Sequence, residues 1–114
     1  MSEETLLVDA QVAAYRARDL ESFLSFYAED VVIKDFDGNV VMDGLDALRQ
    51  QYGQLFANSS DLRVELGGRM SVGEYVIDEE KIDGFILPGY PTQLHAVVVY
   101  RVGDGKIRSV VFLS

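Results

Sequence analysis

The chain has no cysteine among its 114 residues, which removes disulfides, zinc ribbons, iron–sulfur clusters and thiolate nucleophiles together. It has one histidine, His95, so no site can be built on two imidazoles, and no G-x-S-x-G elbow offers a serine for it to activate. Two prolines and no low-complexity tract exclude collagen-like and disordered chains. No apolar run approaches the roughly 18 residues of a membrane span. The opening Met1-Ser2-Glu3-Glu4 has neither the basic nor the apolar stretch of a secretory signal. A soluble cytoplasmic protein is therefore expected. Basic side chains number 10 against 19 acidic ones, for a net charge of −9. Such a surface repels phosphate backbones and anionic lipid, so neither nucleic acid nor membrane is an expected partner.

What remains is 48% hydrophobic and 25% charged, the composition of a globular domain. A single domain spanning residues 1–114 is expected. Size scaling gives it a folded surface of about 6,200 Å² against about 18,000 Å² unfolded, enough burial for one core without staples.

Helical patterns come first and strand patterns afterwards, which is the α+β order. Val8, Gln11, Val12 and Tyr15 follow i, i+3, i+4, i+7 spacing behind the acidic Glu3 and Glu4. Asp19 reads as the N-cap of a second helix, with Leu20, Phe23, Leu24 and Tyr27 on one face. A third helix follows Asp43-Gly44 and shows Leu45, Leu48, Tyr52, Leu55 and Phe56. Between the last two helices, Val31–Phe36 and Val40–Met42 flank Asp37-Gly38-Asn39 and predict a hairpin. Strands are then predicted at Asp61–Leu66, Arg69–Val72, Tyr75–Phe85, Leu94–Val102 and Ile107–Leu113, separated by glycines and by Pro88-Gly89-Tyr90-Pro91.

Several side chains are candidates for chemistry. Asp35 stands two residues before an Asp-Gly turn, either as a working carboxylate or as turn chemistry. Alternation groups Asp78 with Glu80 and opposes them to Glu79 and Lys81. The first pair is either an acid and a base in a pocket, each raising the other's pKa, or part of a solvated edge. The same alternation places His95 with Val97, Val99 and Arg101, opposite Val98 and Tyr100. An interface or surface histidine is the preferred reading there, with a pocket role as the alternative. Tyr15, Tyr52 and Phe56 read first as core and then as pocket lining. No ligand-loop spacing joins Asp35, Asp78 and Glu80, so no metal and no cofactor are expected.

Two longer stretches go beyond this pattern. One is Gln11-Val12-Ala13-Ala14-Tyr15-Arg16-Ala17-Arg18-Asp19-Leu20, continued by Phe26-Tyr27-Ala28-Glu29-Asp30-Val31-Val32-Ile33-Lys34-Asp35. The other is Tyr100-Arg101-Val102-Gly103-Asp104-Gly105-Lys106-Ile107, ending in Val110-Val111-Phe112. With a helix after Asp43-Gly44, they resemble the family that includes nuclear transport factor 2, ketosteroid isomerase and the SnoaL-like polyketide cyclases. The resemblance implies a cone: a curved, largely antiparallel sheet wrapped around three helices, with one deep pocket. It places the base of a ketosteroid isomerase on Asp35, its oxyanion tyrosine on Gln11, and its protonated acid near Val98. The pocket lining would then be Gln11, Tyr15, Tyr52, Phe56, Val98 and Tyr100, with Asp78, Glu80 and His95 as further polar groups.

Gln11 and Val98 depart from the oxyanion pattern, and one lost donor lowers such a rate 10²–10³-fold. Tyr15 and Tyr100 could supply phenols from shifted positions. The expected activity is acid–base isomerisation or cyclisation of a small hydrophobic carbonyl compound. The alternative is a non-catalytic ligand-binding or dimeric interaction module. A homodimer through the outer sheet face, at Val97, Val99 and Val110, is expected because those side chains would otherwise form an exposed apolar patch.

Overall fold

Short polar residues set where the first helices begin. In a computed structural model describing residues 2–113, the Ser2 side chain accepts the Thr5 amide at 3.1 Å, opening α1 (Glu3–Ala17). That helix closes at Arg18, whose left-handed φ of 53° lets its N–H turn back to the Tyr15 carbonyl at 3.0 Å. Asp19 then caps α2 (Leu20–Ser25), accepting the Ser22 amide at 3.3 Å. The helix is shorter than its apolar spacing suggested. The sheet claims the next residues: Ile107 donates to the Phe26 carbonyl at 2.8 Å, and Tyr27, expected on the helix, opens β1 (Tyr27–Asp35) instead.

The hairpin continues into β2 (Val40–Asp43), and α3 (Leu45–Asn58) follows Gly44, whose φ of 88° suits glycine. Four strands complete the chain: β3 (Arg63–Val72), β4 (Tyr75–Asp83), β5 (Leu94–Gly103) and β6 (Lys106–Leu113). Gly67-Gly68, expected to separate two strands, lies inside β3. Leu66 pairs with Glu80 and Arg69 with Asp78, so one extra residue is accommodated as a bulge rather than a break.

The six strands form one curved sheet in the order β2-β1-β6-β5-β4-β3. The β1–β6 pair is parallel and the other pairs are antiparallel. Helices cover one face, where Val8, Val12 and Tyr15 of α1 and Leu48, Leu55 and Phe56 of α3 join Val76, Val98, Tyr100, Ile107 and Val110 in the core. Arg16 fastens α1 to the sheet, with Nε and Nη2 both donating to the Val64 carbonyl at 3.2 Å. The accessible surface is 6359 Å², close to the value expected from chain length. No described helix is long and apolar enough to cross a membrane.

Strand alternation also corrects one expectation. Val110 is 2% exposed and points into the core, so it cannot belong to the outer sheet face. Its neighbour Val111, paired with Val99, takes that place.

Candidate functional site

Between the helices and the concave sheet lies a cavity of about 440 Å³, within the 300–1,000 Å³ typical of small-molecule sites. Gln11, Val12 and Tyr15 reach it from α1, Tyr27 from β1, and Tyr52 and Leu55 from α3. The sheet contributes Glu80 and Ile82 from β4, Val98 and Tyr100 from β5, and Val110 and Phe112 from β6. The segment between β4 and β5 adds Phe85, Leu87 and Tyr90.

Glu80 is the group that sets this wall apart. It is 7% exposed, and its Oε2 accepts the Tyr100 hydroxyl at 2.8 Å. Its Oε1 has no hydrogen-bond partner among the described residues, although no fully buried side-chain atom is left unpaired. Oε1 is therefore open to the cavity. Burial pushes the Glu80 carboxyl up to about 7, and the nearby negative charge of Asp78 adds to this. The Tyr100 hydrogen bond and the Arg69 and Arg16 charges act in the opposite direction.

Asp78 shares the inward face but has a different fate. It is fully buried, and Arg69 grips both of its oxygens, Nε to Oδ1 at 2.6 Å and Nη2 to Oδ2 at 2.9 Å. Arg69 Nη1 also reaches Asp9 Oδ1 at 2.6 Å. Neither reading of Asp78 and Glu80, a free pocket pair or a solvated edge, describes them: one is a pocket carboxylate and the other a closed ion pair, and Asp78 does not line the cavity.

The phenols divide into two kinds. Tyr27 donates to Gln11 Oε1 at 2.9 Å, and Gln11 Nε2 donates to the Val8 carbonyl at 3.4 Å, so the Gln11 amide is engaged within the protein. Tyr100 is engaged by Glu80. Tyr15 and Tyr52 line the same cavity, and among the described residues neither hydroxyl makes a hydrogen bond to protein. Burial raises the phenols of Tyr15, Tyr27, Tyr52 and Tyr100 far above their ordinary value, so each remains a neutral donor near pH 7.

Asp35 sits at the mouth, beside exposed Phe36 and Asp37. Its Oδ1 accepts the Asn39 amide at 2.9 Å and its Oδ2 the Asn39 Nδ2 at 3.1 Å. Those bonds, the backbone one foremost, hold its carboxyl below the usual range. Both oxygens close the hairpin turn, which weakens them as a base. Phe56, expected on the cavity wall, stands behind it, its ring 5.5 Å from those of Tyr15 and Phe23. His95 lies on the outer face, where Nε2 meets Glu79 Oε2 at 2.6 Å. Alternation along β5 turns it away once Val98 and Tyr100 point inward, so it leaves the list of pocket groups.

The most consequential residue that sequence reasoning missed is Tyr27. Helical spacing from Leu20 hid it, although Tyr27-Ala28 directly precedes the β-branched run. Among the described residues, no group of His, Asp and Glu side chains is placed to hold a metal ion.

The family model of the SnoaL-like domain matches residues 8–110. No curated protein matches the chain. Among solved structures, an uncharacterised cystatin-fold protein from Novosphingobium aromaticivorans is 27% identical, with a TM-score of 0.86 over 100% of this chain and 99% of its own. A computationally designed 17-OHP binder is 19% identical, with a TM-score of 0.83 over 100% and 92% of the two chains. TerC, co-crystallised with polyporic acid, is 19% identical, with a TM-score of 0.77 over 98% and 91%.

Proposed function

The chain belongs to the SnoaL-like domain family and has the nuclear transport factor 2-like fold, and from that premise we propose that it is an acid–base catalyst acting on a small, mainly apolar carbonyl compound. Glu80 is the proton carrier in this reading. The observation that carries it is a nearly buried carboxyl, open to the cavity at one oxygen and poised near pH 7, where base and acid forms coexist. As a carboxylate, Glu80 takes a proton from the carbon beside the carbonyl. The electrons of that C–H bond move to the carbonyl oxygen, and the resulting enolate accepts hydrogen bonds from Tyr15 and Tyr52, two buried cavity phenols not engaged by protein. Glu80 then returns the proton to another carbon of the same molecule, completing an isomerisation. In a cyclisation, the enolate carbon attacks a second carbonyl carbon and Glu80 protonates the new alkoxide.

Ligand-bound relatives of the fold are consistent with a small-molecule cavity: the structure of TerC was obtained with polyporic acid. Gln11 and Val98 stand where the resemblance expects oxyanion donors, which favours a second reading, a cavity that binds without turning over. Asp35, the base implied by the resemblance, is in our reading a turn residue at the mouth.

The test is α-proton exchange into deuterated water, followed by NMR on β-tetralone and related cyclic ketones. Glu80→Gln is expected to lower exchange by roughly 10²-fold or more, and Asp35→Asn by less than about threefold. The reverse pattern would return the role to Asp35. Binding without exchange would leave the non-catalytic reading in place.

A further inference from the structure

We infer that the same cavity is a receptor for lipophilic amines, which bind as ammonium ions with Glu80 as counter-ion among the surrounding tyrosines. This ligand class goes beyond the carbonyl reading and does not rest on proton transfer to carbon. It needs only the cavity and the open oxygen of Glu80.

The charged groups in the cavity wall are Asp35, Asp37 and Glu80, and no lysine, arginine or histidine lines it among the described residues. The two cations nearest to Glu80 in effect, Arg69 and Arg16, are held elsewhere: Arg69 by Asp78 and Asp9, Arg16 by the Val64 carbonyl. A carboxylate ligand would therefore be buried beside Glu80 with no cationic partner, only neutral phenol donors, which low-dielectric surroundings penalise. An ammonium ion placed at Glu80 Oε1 meets the opposite situation. It finds a carboxylate with an unused acceptor site and converts a lone buried charge into a pair.

The rings reinforce this preference. Tyr15, Tyr27, Tyr52 and Tyr100 all border the cavity, and aromatic surroundings favour a desolvated cation over a neutral or anionic group. Because burial keeps these phenols neutral, the deep end of the cavity carries a single negative charge for a single positive one. Asp35 and Asp37 at the mouth, together with the chain's net charge of −9, draw cations toward the opening.

The groups that face Glu80 from each neighbouring element are Tyr15 and Arg16 of α1, Tyr27 of β1, Tyr52 of α3, Arg69 of β3, Asp78 of β4 and Tyr100 of β5. The Glu80 carboxyl titrates near 7, and an alkylamine near about 10. Amine affinity should thus fall about tenfold per pH unit below 7 and hold steady from pH 8 toward 9.

The experiment uses three probes of one shape: 2-naphthylmethylamine, 2-naphthylmethanol and 2-naphthoic acid, titrated by calorimetry against the full chain. At pH 8 the amine should bind roughly tenfold or more tighter than the alcohol, with the acid weakest. Lowering the pH from 8 to 6 should weaken the amine about tenfold and leave the alcohol unchanged. Glu80→Gln should erase both the preference and the pH dependence while retaining alcohol binding, which reports an intact cavity. If that variant fails to fold, the wild-type pH series decides alone. An alcohol that binds as tightly as the amine at pH 8 would overturn the proposal. So would amine binding that is flat from pH 6 to 8, or absent at millimolar amine. A failure of ketone exchange with amine selectivity intact would count against the catalytic reading only.

Discussion

The Tyr100 hydroxyl reaches Glu80 Oε2 over 2.8 Å, although the two residues are far out of register on neighbouring strands. Tyr100 pairs with Val76, and Glu80 with Ala96, so four residues of strand, about 13 Å, separate them lengthwise. Two long side chains lean toward each other along the concave face to close that gap. The bond therefore reports both the curvature of the sheet and the protonation state of its buried acid.

Tyr100→Phe tests that relationship. The hydroxyl favours the ionised carboxylate, so its removal leaves burial less opposed and moves the Glu80 carboxyl above about 7. A ¹³C-detected titration of glutamate carboxyls should show the resonance that titrates near 7 moving to higher pH. The lost hydrogen bond should also cost about 1 kcal/mol of stability. A downward shift would mean that the phenol does not serve as donor to Glu80.

Glu80 also shapes the stability–pH curve. Its folded-state value, about 7, lies above the ordinary 4.5, so the native state holds a proton that the unfolded chain has already released. Stability is then highest below about 4.5 as far as Glu80 is concerned, and it declines as pH rises toward 7. The slope is up to about 1.4 kcal/mol per pH unit. Urea melts of wild type and Glu80→Gln at pH 5 and pH 8 should show the variant losing less stability over that interval. Parallel losses would remove Glu80 as the source.

Arg69→Met should cost about 3–5 kcal/mol, because it strands a fully buried carboxylate. Arg69→Met combined with Asp78→Leu should recover much of that loss, since it removes both charges. Denaturant melts provide the check, and a single variant within about 0.5 kcal/mol of wild type would mean that Asp78 reaches water.

The inward stripe of α1 was legible because Val8, Gln11, Val12 and Tyr15 repeat at helical spacing, and the sheet face of Glu80 because strands alternate. Periodicity gives direction without depth. It grouped Asp78 with Glu80, yet their difference comes from Arg69, which arrives from β3 through the offset of the Gly67-Gly68 bulge. No local pattern announces that pairing. Tyr27 was misplaced for a related reason. Helical spacing continued past Ser25, and only a long-range partner, Ile107, shows where the sheet takes over. The turn chemistry of Asp35 was readable from Asp37-Gly38-Asn39. The engagement of both its oxygens by Asn39 needed coordinates.

Leu48→Ala probes the contact of α3 with the core. Leu48 is fully buried, so truncation should cost about 2–5 kcal/mol through lost burial and an unfilled void. A loss under about 0.5 kcal/mol in urea melts would place that helix face in water.

The outer sheet face is the basis for a homodimer prediction. Val97, Val99 and Arg101 pair across the strands with Glu79, Ile77 and Tyr75, and Ile77 and Tyr75 with Met70 and Val72. Paired residues share a face, so these apolar side chains form one continuous surface, extended by Val111 beside Val99. Met70 is 60% exposed, Val72 58%, Tyr75 41% and Val97 36%, a patch that a monomer would leave in water. A second copy can cover it symmetrically, the same strands facing one another about a two-fold axis. The Glu79–His95 pair at 2.6 Å would lie beside that contact. Sedimentation equilibrium at micromolar concentration should give twice the chain mass for wild type, and Val99→Glu should return it to the monomer with its circular dichroism unchanged. A wild-type monomer, or a dimer indifferent to Val99→Glu, would show that this face is not the interface.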